Sequence, residues 1–160
     1  MLDRLSVITT QIKAVEEERD EALEQNQAVQ LLLKLRSLGP ETTSCLWLEC
    51  FYREFASRRH LAAYGGLAGT PFQSGTISRE QGITRSGNPR VRRAMIELAW
   101  QWLRYQPDSE LSRWFVERVG TQRGRVRRIA IVAMARKLLV ALWHYVNDGT
   151  VPAGAVFKAG

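Results

Sequence analysis

The sequence predicts a mainly α fold: an N-terminal coiled-coil-like helix followed by a compact helical domain with a Gly/Ser-rich central loop. Two observations predict it. Apolar residues recur three and four apart along most of the chain. The long exception, Tyr64–Arg93, carries six glycines and two prolines that break any helical or strand period. At 160 residues and 45% hydrophobic content, the chain is long enough for one core plus an extension. The expected divisions are a coiled-coil connector over 1–30, the helical domain over 31–150 and a tail over 151–160.

Taken in order, Leu5, Ile8, Ile12, Val15, Arg19, Ala22, Asn26 and Val29 alternate spacings of three and four, the seam pattern of a coiled coil. Arg19 and Asn26 weaken such a seam but can fix its register, and the same pattern suits a single helix lying on the body. Next, an apolar helix end runs into Leu38-Gly39-Pro40, where Gly39 suits a turn and Pro40 suits the first position of a new helix. This resembles a helix-hairpin-helix, whose glycine turn offers backbone N–H groups to DNA phosphates, although Ser37 stands where that motif usually has glycine. A plain helix turn is the alternative. Phe55, Leu61, Ala62 and Tyr64 then lead through a short helix into the loop.

Beyond Pro89, Val91, Met95, Leu98, Ala99 and Trp102 share one helical face. A second helix after Pro107 carries Leu111, Trp114, Phe115 and Val119 and stops before Gly120. The third has Val126, Ile129, Ala130, Ala133, Met134, Leu138, Ala141, Leu142 and Tyr145 on one stripe. With Ile131, Val132, Leu139, Val140 and Trp143 off that stripe, it is apolar almost all round and is expected to cross the core. All five tryptophans read as structural, and Cys45 and Cys50 as packing residues.

The charge is unevenly placed. The total is +7, but residues 1–30 hold 3 basic and 7 acidic side chains while residues 31–160 hold 20 and 9. A basic body of this kind suits a polyanion such as DNA, bound through salt-sensitive phosphate contacts. One arginine group, Arg85, Arg90, Arg92 and Arg93, closes the loop. A second, Arg123, Arg125, Arg127 and Arg128, opens the last helix, where the macrodipole disfavours cations unless an anion lies against them. A solvated face is the other reading. Hydroxyls among flexible glycines beside guanidinium forks, with Ser74-Gly75 at the centre, suit phosphate binding or nucleophilic attack on phosphorus. His60 and His144 are the only histidines and no HExxH spacing occurs, so no metal site is expected. No uninterrupted apolar run of membrane length and no signal-peptide pattern is present, so a cytoplasmic protein with no membrane partner is expected.

The blocks LGPETT, FASRRHLAAYGGLAGTPFQSG, GITRSGNPRVRR and RIAIVAMARKLLVALWHYV, in that order, resemble the C-terminal half of a bacterial insertion-sequence transposase. The family joins a RuvC-like DEDD nuclease domain to a serine-bearing C-terminal domain, and includes bridge-RNA-guided recombinases and pilin-gene invertases. The resemblance covers residues 31 to about 150, and residues 1–30 are similar to the end of the family's coiled-coil connector. It implies that Ser74, in its Ser-Gly pair, is the nucleophile that links to DNA. Ser86-Gly87 is a second Ser-Gly pair in a different block. It also implies that Gly39, Gly75 and the two arginine groups contact DNA or guide RNA. No cofactor is expected on this chain, since a divalent metal such as Mg belongs to the DEDD half, which the sequence lacks. The chain alone is expected to bind nucleic acid but to recombine it poorly or not at all. A homo-oligomer, or a complex with full-length transposase, is the expected assembly. The alternative function is a catalytically silent DNA-binding and oligomerisation module.

Overall fold

The two strongest apolar patterns of the sequence meet at the centre of the molecule. The computed structural model describes residues 2–68 and 87–159. Its helices are α1 (Leu2–Glu24), α2 (Gln27–Lys34), α3 (Pro40–Leu46), α4 (Arg58–Tyr64), α5 (Pro89–Tyr105), α6 (Glu110–Val119) and α7 (Arg125–Asp148). Among the described residues there is no strand, only an isolated antiparallel bridge between Leu35 and Phe157. Helix α5 lies antiparallel to α7: Val91 and Leu139 meet beside Gly65, and Trp100 lies under Arg127.

Helix α5 forms as expected. Asn88 caps it by accepting from the N–H groups of Arg90 and Val91, and Pro89 takes the first position, where its missing N–H costs nothing. Val91, Met95, Leu98, Ala99 and Trp102 are all buried. Trp102 is fully enclosed, and its Nε1 donates to Ser109 Oγ at 2.9 Å, which ties the cap of α6 to the core. Buried side chains of this size each contribute about 2 kcal/mol.

Helix α7 is the central helix. It is long and apolar enough to pass as a membrane span, with a mean hydropathy of 1.6. Here Ala130, Ile131, Met134, Ala135, Leu138, Leu139, Leu142 and Tyr145 are instead buried against neighbouring helices. Two residues of the expected stripe, Val126 and Ile129, lie exposed at 36% and 55%. The first turns of α7 carry the stripe past the packed core.

Two readings of the N-terminal region change. Helix α1 ends at Glu24, and Asn26 is the N-cap of α2, its Oδ1 accepting from Val29 N at 3.1 Å. The heptad therefore breaks at Asn26, which satisfies a helix end rather than a seam. Leu5, Ile8, Ile12 and Val15 are each at least half exposed. At the next turn, Pro40 opens α3 as expected, but Gly39 has φ −98°, open to any residue. Ser37 is the residue with positive φ, +89°, and its Oγ is buried without a partner.

Helix α3 continues through a π-helical turn, Trp47–Phe51, closed by Tyr52 N donating to Trp47 O at 3.1 Å. Residues 151–159 cross back over the body. Gln106 Nε2 donates to the carbonyls of Arg36 and Val156, its Oε1 accepts from Val156 N, and Lys158 Nζ donates to Leu38 O. One buried glutamine thus joins the α2–α3 turn, the α5–α6 turn and the C-terminal residues.

Candidate nucleic-acid interface

The chain on either side of residues 69–86 is drawn together by a polar clasp. Its hub is Glu49, on the π-helical turn. Asn88, while capping α5 with its Oδ1, donates from Nδ2 to Glu49 Oε2 at 2.9 Å. Arg90 Nη1 donates to Glu49 Oε1, also at 2.9 Å. Tyr64 Oη donates to the Glu49 carbonyl at 2.6 Å, and Arg53 lies 4.5 Å over the Tyr64 ring. The Asn88 amide, then the Arg90 guanidinium, hold the Glu49 carboxyl below the usual glutamate value. The main chain closes the same junction, with Asn88 N donating to Tyr64 O at 2.6 Å. Gly87, at φ +119°, sits so tightly against Ala63 and Gly66 that a Cβ would lie 2.6 Å from Ala63 O.

The expected contact residues divide. Ser74, Gly75 and Arg85 lie outside the described residues, as does the rival Ser86. Arg90 is exposed but engaged by Glu49. Arg92 is half-buried, and Arg93 is exposed and 3.4 Å from Glu97, a pair of little energetic weight in water. In the second group Arg123, Arg125, Arg127 and Arg128 are all exposed. Arg127 lies over Trp100 at 5.0 Å and Phe115 at 5.7 Å, so its guanidinium is spread on aromatic rings of α5 and α6. Gly39 lies at the α2–α3 turn, as the N-cap of α3.

The groups are joined along α5. Arg93, Glu97, Trp100 and Arg104 follow at spacings of four, three and four, one outward stripe. Arg127 reaches that stripe at Trp100. Seven residues of α5 separate Arg93 from Trp100, about 10 Å of helix rise. The result is a basic strip with one aromatic ring and one carboxylate in it, on a scale that spans a few phosphates. Among the described residues no three His, Cys, Asp or Glu side chains converge on a point that could hold a metal. The two thiols are free, and burial pushes that of Cys50 up to about 12, leaving it inert.

Sequence reasoning missed Glu49 and the clasp. A helix after Pro89 was legible, but that Asn88 would cap it and that Glu49, 39 residues earlier, would face the cap was not. The reading of every tryptophan as structural also changes: Trp102 is core, whereas Trp100 is 36% exposed and faces a cation.

Residues 29–112 match the model of the family described as Transposase IS116/IS110/IS902 family. The chain belongs to that family. Among curated relatives it is 48% identical to the y4rJ protein of Sinorhizobium fredii over 170 residues, covering 98% of this chain and 43% of that protein. It is 29% identical over 161 residues to the Insertion element IS110 uncharacterized 43.6 kDa protein of Streptomyces coelicolor, covering 97% and 39%. It is 28% identical over 145 residues to the transposase for insertion sequence element IS1328 of Yersinia enterocolitica, covering 88% and 42%. The chain thus spans less than half the length of each of these relatives.

Proposed function

We propose that this IS116/IS110/IS902 family chain is the DNA-binding C-terminal part of a transposase, acting in the cytoplasm in DNA transposition and site-specific recombination. Ser74 is the nucleophile. Family membership across residues 29–112 carries the reading. Two features of the molecule support it: the clasp that holds Tyr64 against Asn88, the points from which residues 69–86 depart and to which they return, and the basic strip along α5 and the start of α7.

In this reading Ser74 Oγ gives up its proton and attacks a DNA phosphorus. A serine–phosphate ester forms and the bond to one deoxyribose oxygen breaks, that oxygen leaving as a hydroxyl. Attack by a hydroxyl of another strand reverses the step and rejoins DNA to a new partner. A serine hydroxyl needs help to lose its proton, and a divalent metal such as Mg, held by the carboxylates of a DEDD half outside this chain, is the expected source. Arg92, Arg93, Arg123, Arg125 and Arg128 hold phosphates of DNA or of a guide RNA. Leu5, Ile8, Ile12 and Val15, exposed on α1, pair with a second copy or with full-length transposase.

The test is adduct trapping on a nicked substrate with the DEDD half and Mg supplied. A covalent protein–DNA species that disappears in Ser74→Ala is the expected result. No adduct in either protein would leave a silent DNA-binding module. A parallel salt titration should show the slope of log affinity falling by about three to four units when Arg92, Arg93, Arg125 and Arg128 are replaced by Gln.

A further inference from the structure

A cleft of about 890 Å³ opens on the molecule between α4, α6 and α7, with residues 152–153 at one end. It is separate from the basic strip. Arg58 and Arg59 line it from α4, Arg136 and Lys137 line it from α7, and the only carboxylate among its described lining residues is Glu110. None of these four cations forms an ion pair with a described carboxylate. Arg136 and Lys137 are the only charged residues in the apolar run from Ile129 to Val146, and both emerge into this cleft. The rest of the described lining is largely apolar. Trp114 is half-buried, with the Lys137 ammonium 5.1 Å and the Arg118 guanidinium 5.9 Å from its ring centre.

We infer that this cleft is a site for an unpaired nucleotide of a single strand. The chemistry fits on three counts. A volume of this order matches a small-molecule site and is too small for a duplex. Paired cations from two helices, α4 and α7, suit the phosphates on either side of one nucleotide. A half-buried tryptophan lining a cleft beside cations is the combination on which proteins stack a base of a single strand. A protein ligand is less well matched, because four cations facing one carboxylate select for a polyanion. The site goes beyond the proposed function, since none of its described lining residues belongs to the outward α5 strip.

The experiment measures binding of a short oligothymidylate, and of an abasic strand of equal length and charge, by quenching of tryptophan fluorescence and by anisotropy. Duplex DNA is measured in parallel. Arg136→Gln/Lys137→Gln should weaken oligothymidylate binding roughly tenfold or more while duplex affinity holds. Trp114→Leu should abolish most of the preference for oligothymidylate over the abasic strand, itself roughly tenfold. Arg58→Gln/Arg59→Gln, on α4 and exposed, guards against a variant that merely misfolds. Equal affinity of the wild type for both strands would overturn the inference, as would unchanged oligothymidylate affinity in both charge variants. Loss of duplex binding on replacing Arg93, Arg125 and Arg128, with oligothymidylate binding intact, separates this site from the α5 strip.

Discussion

Gly87→Ala is the sharpest test of the clasp. Gly87 has φ +119°, a conformation that costs a residue with a Cβ about 1–3 kcal/mol. The new Cβ would lie 2.6 Å from Ala63 O, 2.6 Å from Gly66 N and 2.8 Å from Gly66 Cα. All three are backbone atoms, so no side chain can swing aside to relieve them. The main chain must move, and the bond from Asn88 N to Tyr64 O is the first it would break, at about 1 kcal/mol. The combined loss is about 2–4 kcal/mol, which for a chain of this size lowers Tm by about 10 °C. Gly120→Ala is the control. Gly120 also has positive φ, +56°, but nothing lies within 4 Å of where its Cβ would be, so it carries the strain without the collision. Thermal unfolding of the three proteins decides the matter. If Gly87→Ala loses no more than Gly120→Ala, the close approach at Ala63 and Gly66 does not hold the junction, and the reasoning fails.

Other expectations follow from single contacts. Ser37→Gly should raise stability by about 1 kcal/mol in urea unfolding, since relief of the left-handed backbone and of an unpaired buried hydroxyl outweighs the entropy of a glycine. Glu49 is held ionised by Asn88 and Arg90, so its contribution is complete above the unfolded glutamate value and is lost as pH falls through the lower folded one. Glu49→Gln should therefore show a shallower loss of Tm than wild type between about pH 5 and about pH 3. Tyr64→Phe removes the donor to the Glu49 carbonyl and should cost about 1 kcal/mol in the same unfolding assay. Ile8→Asp/Ile12→Asp should leave thermal stability of the monomer within about 0.5 kcal/mol, because both side chains are exposed, while abolishing any dimer seen by sedimentation.

Much of the fold was legible because it is local. The periods of α5 and α7 follow from side-chain spacing alone, and Pro40 and Pro89 each open a helix where their fixed φ and missing N–H suit the first position. The misread positions share one cause. Asn26 fits a heptad seam as well as an N-cap, and only the turn at residue 25 decides which group it satisfies. Val126 and Ile129 fit the α7 stripe but lie past the end of the packed core. The five tryptophans are one residue type in helices of similar pattern, yet Trp102 is enclosed while Trp100 and Trp114 face cations.

The order of chemical blocks that marks the family is a property of the chain itself, and so are the basic body, the helices and their faces. These depend on neighbours within a few residues, where propensity and periodicity act. Tertiary structure alone decided which distant groups meet: Glu49 with Asn88 and Arg90, Gly87 with Ala63, Arg127 with Trp100, and Arg58 with Lys137 in the lining of one cleft. Each of these depends on how helices are placed against one another, which the burial of whole faces determines and which no local pattern encodes.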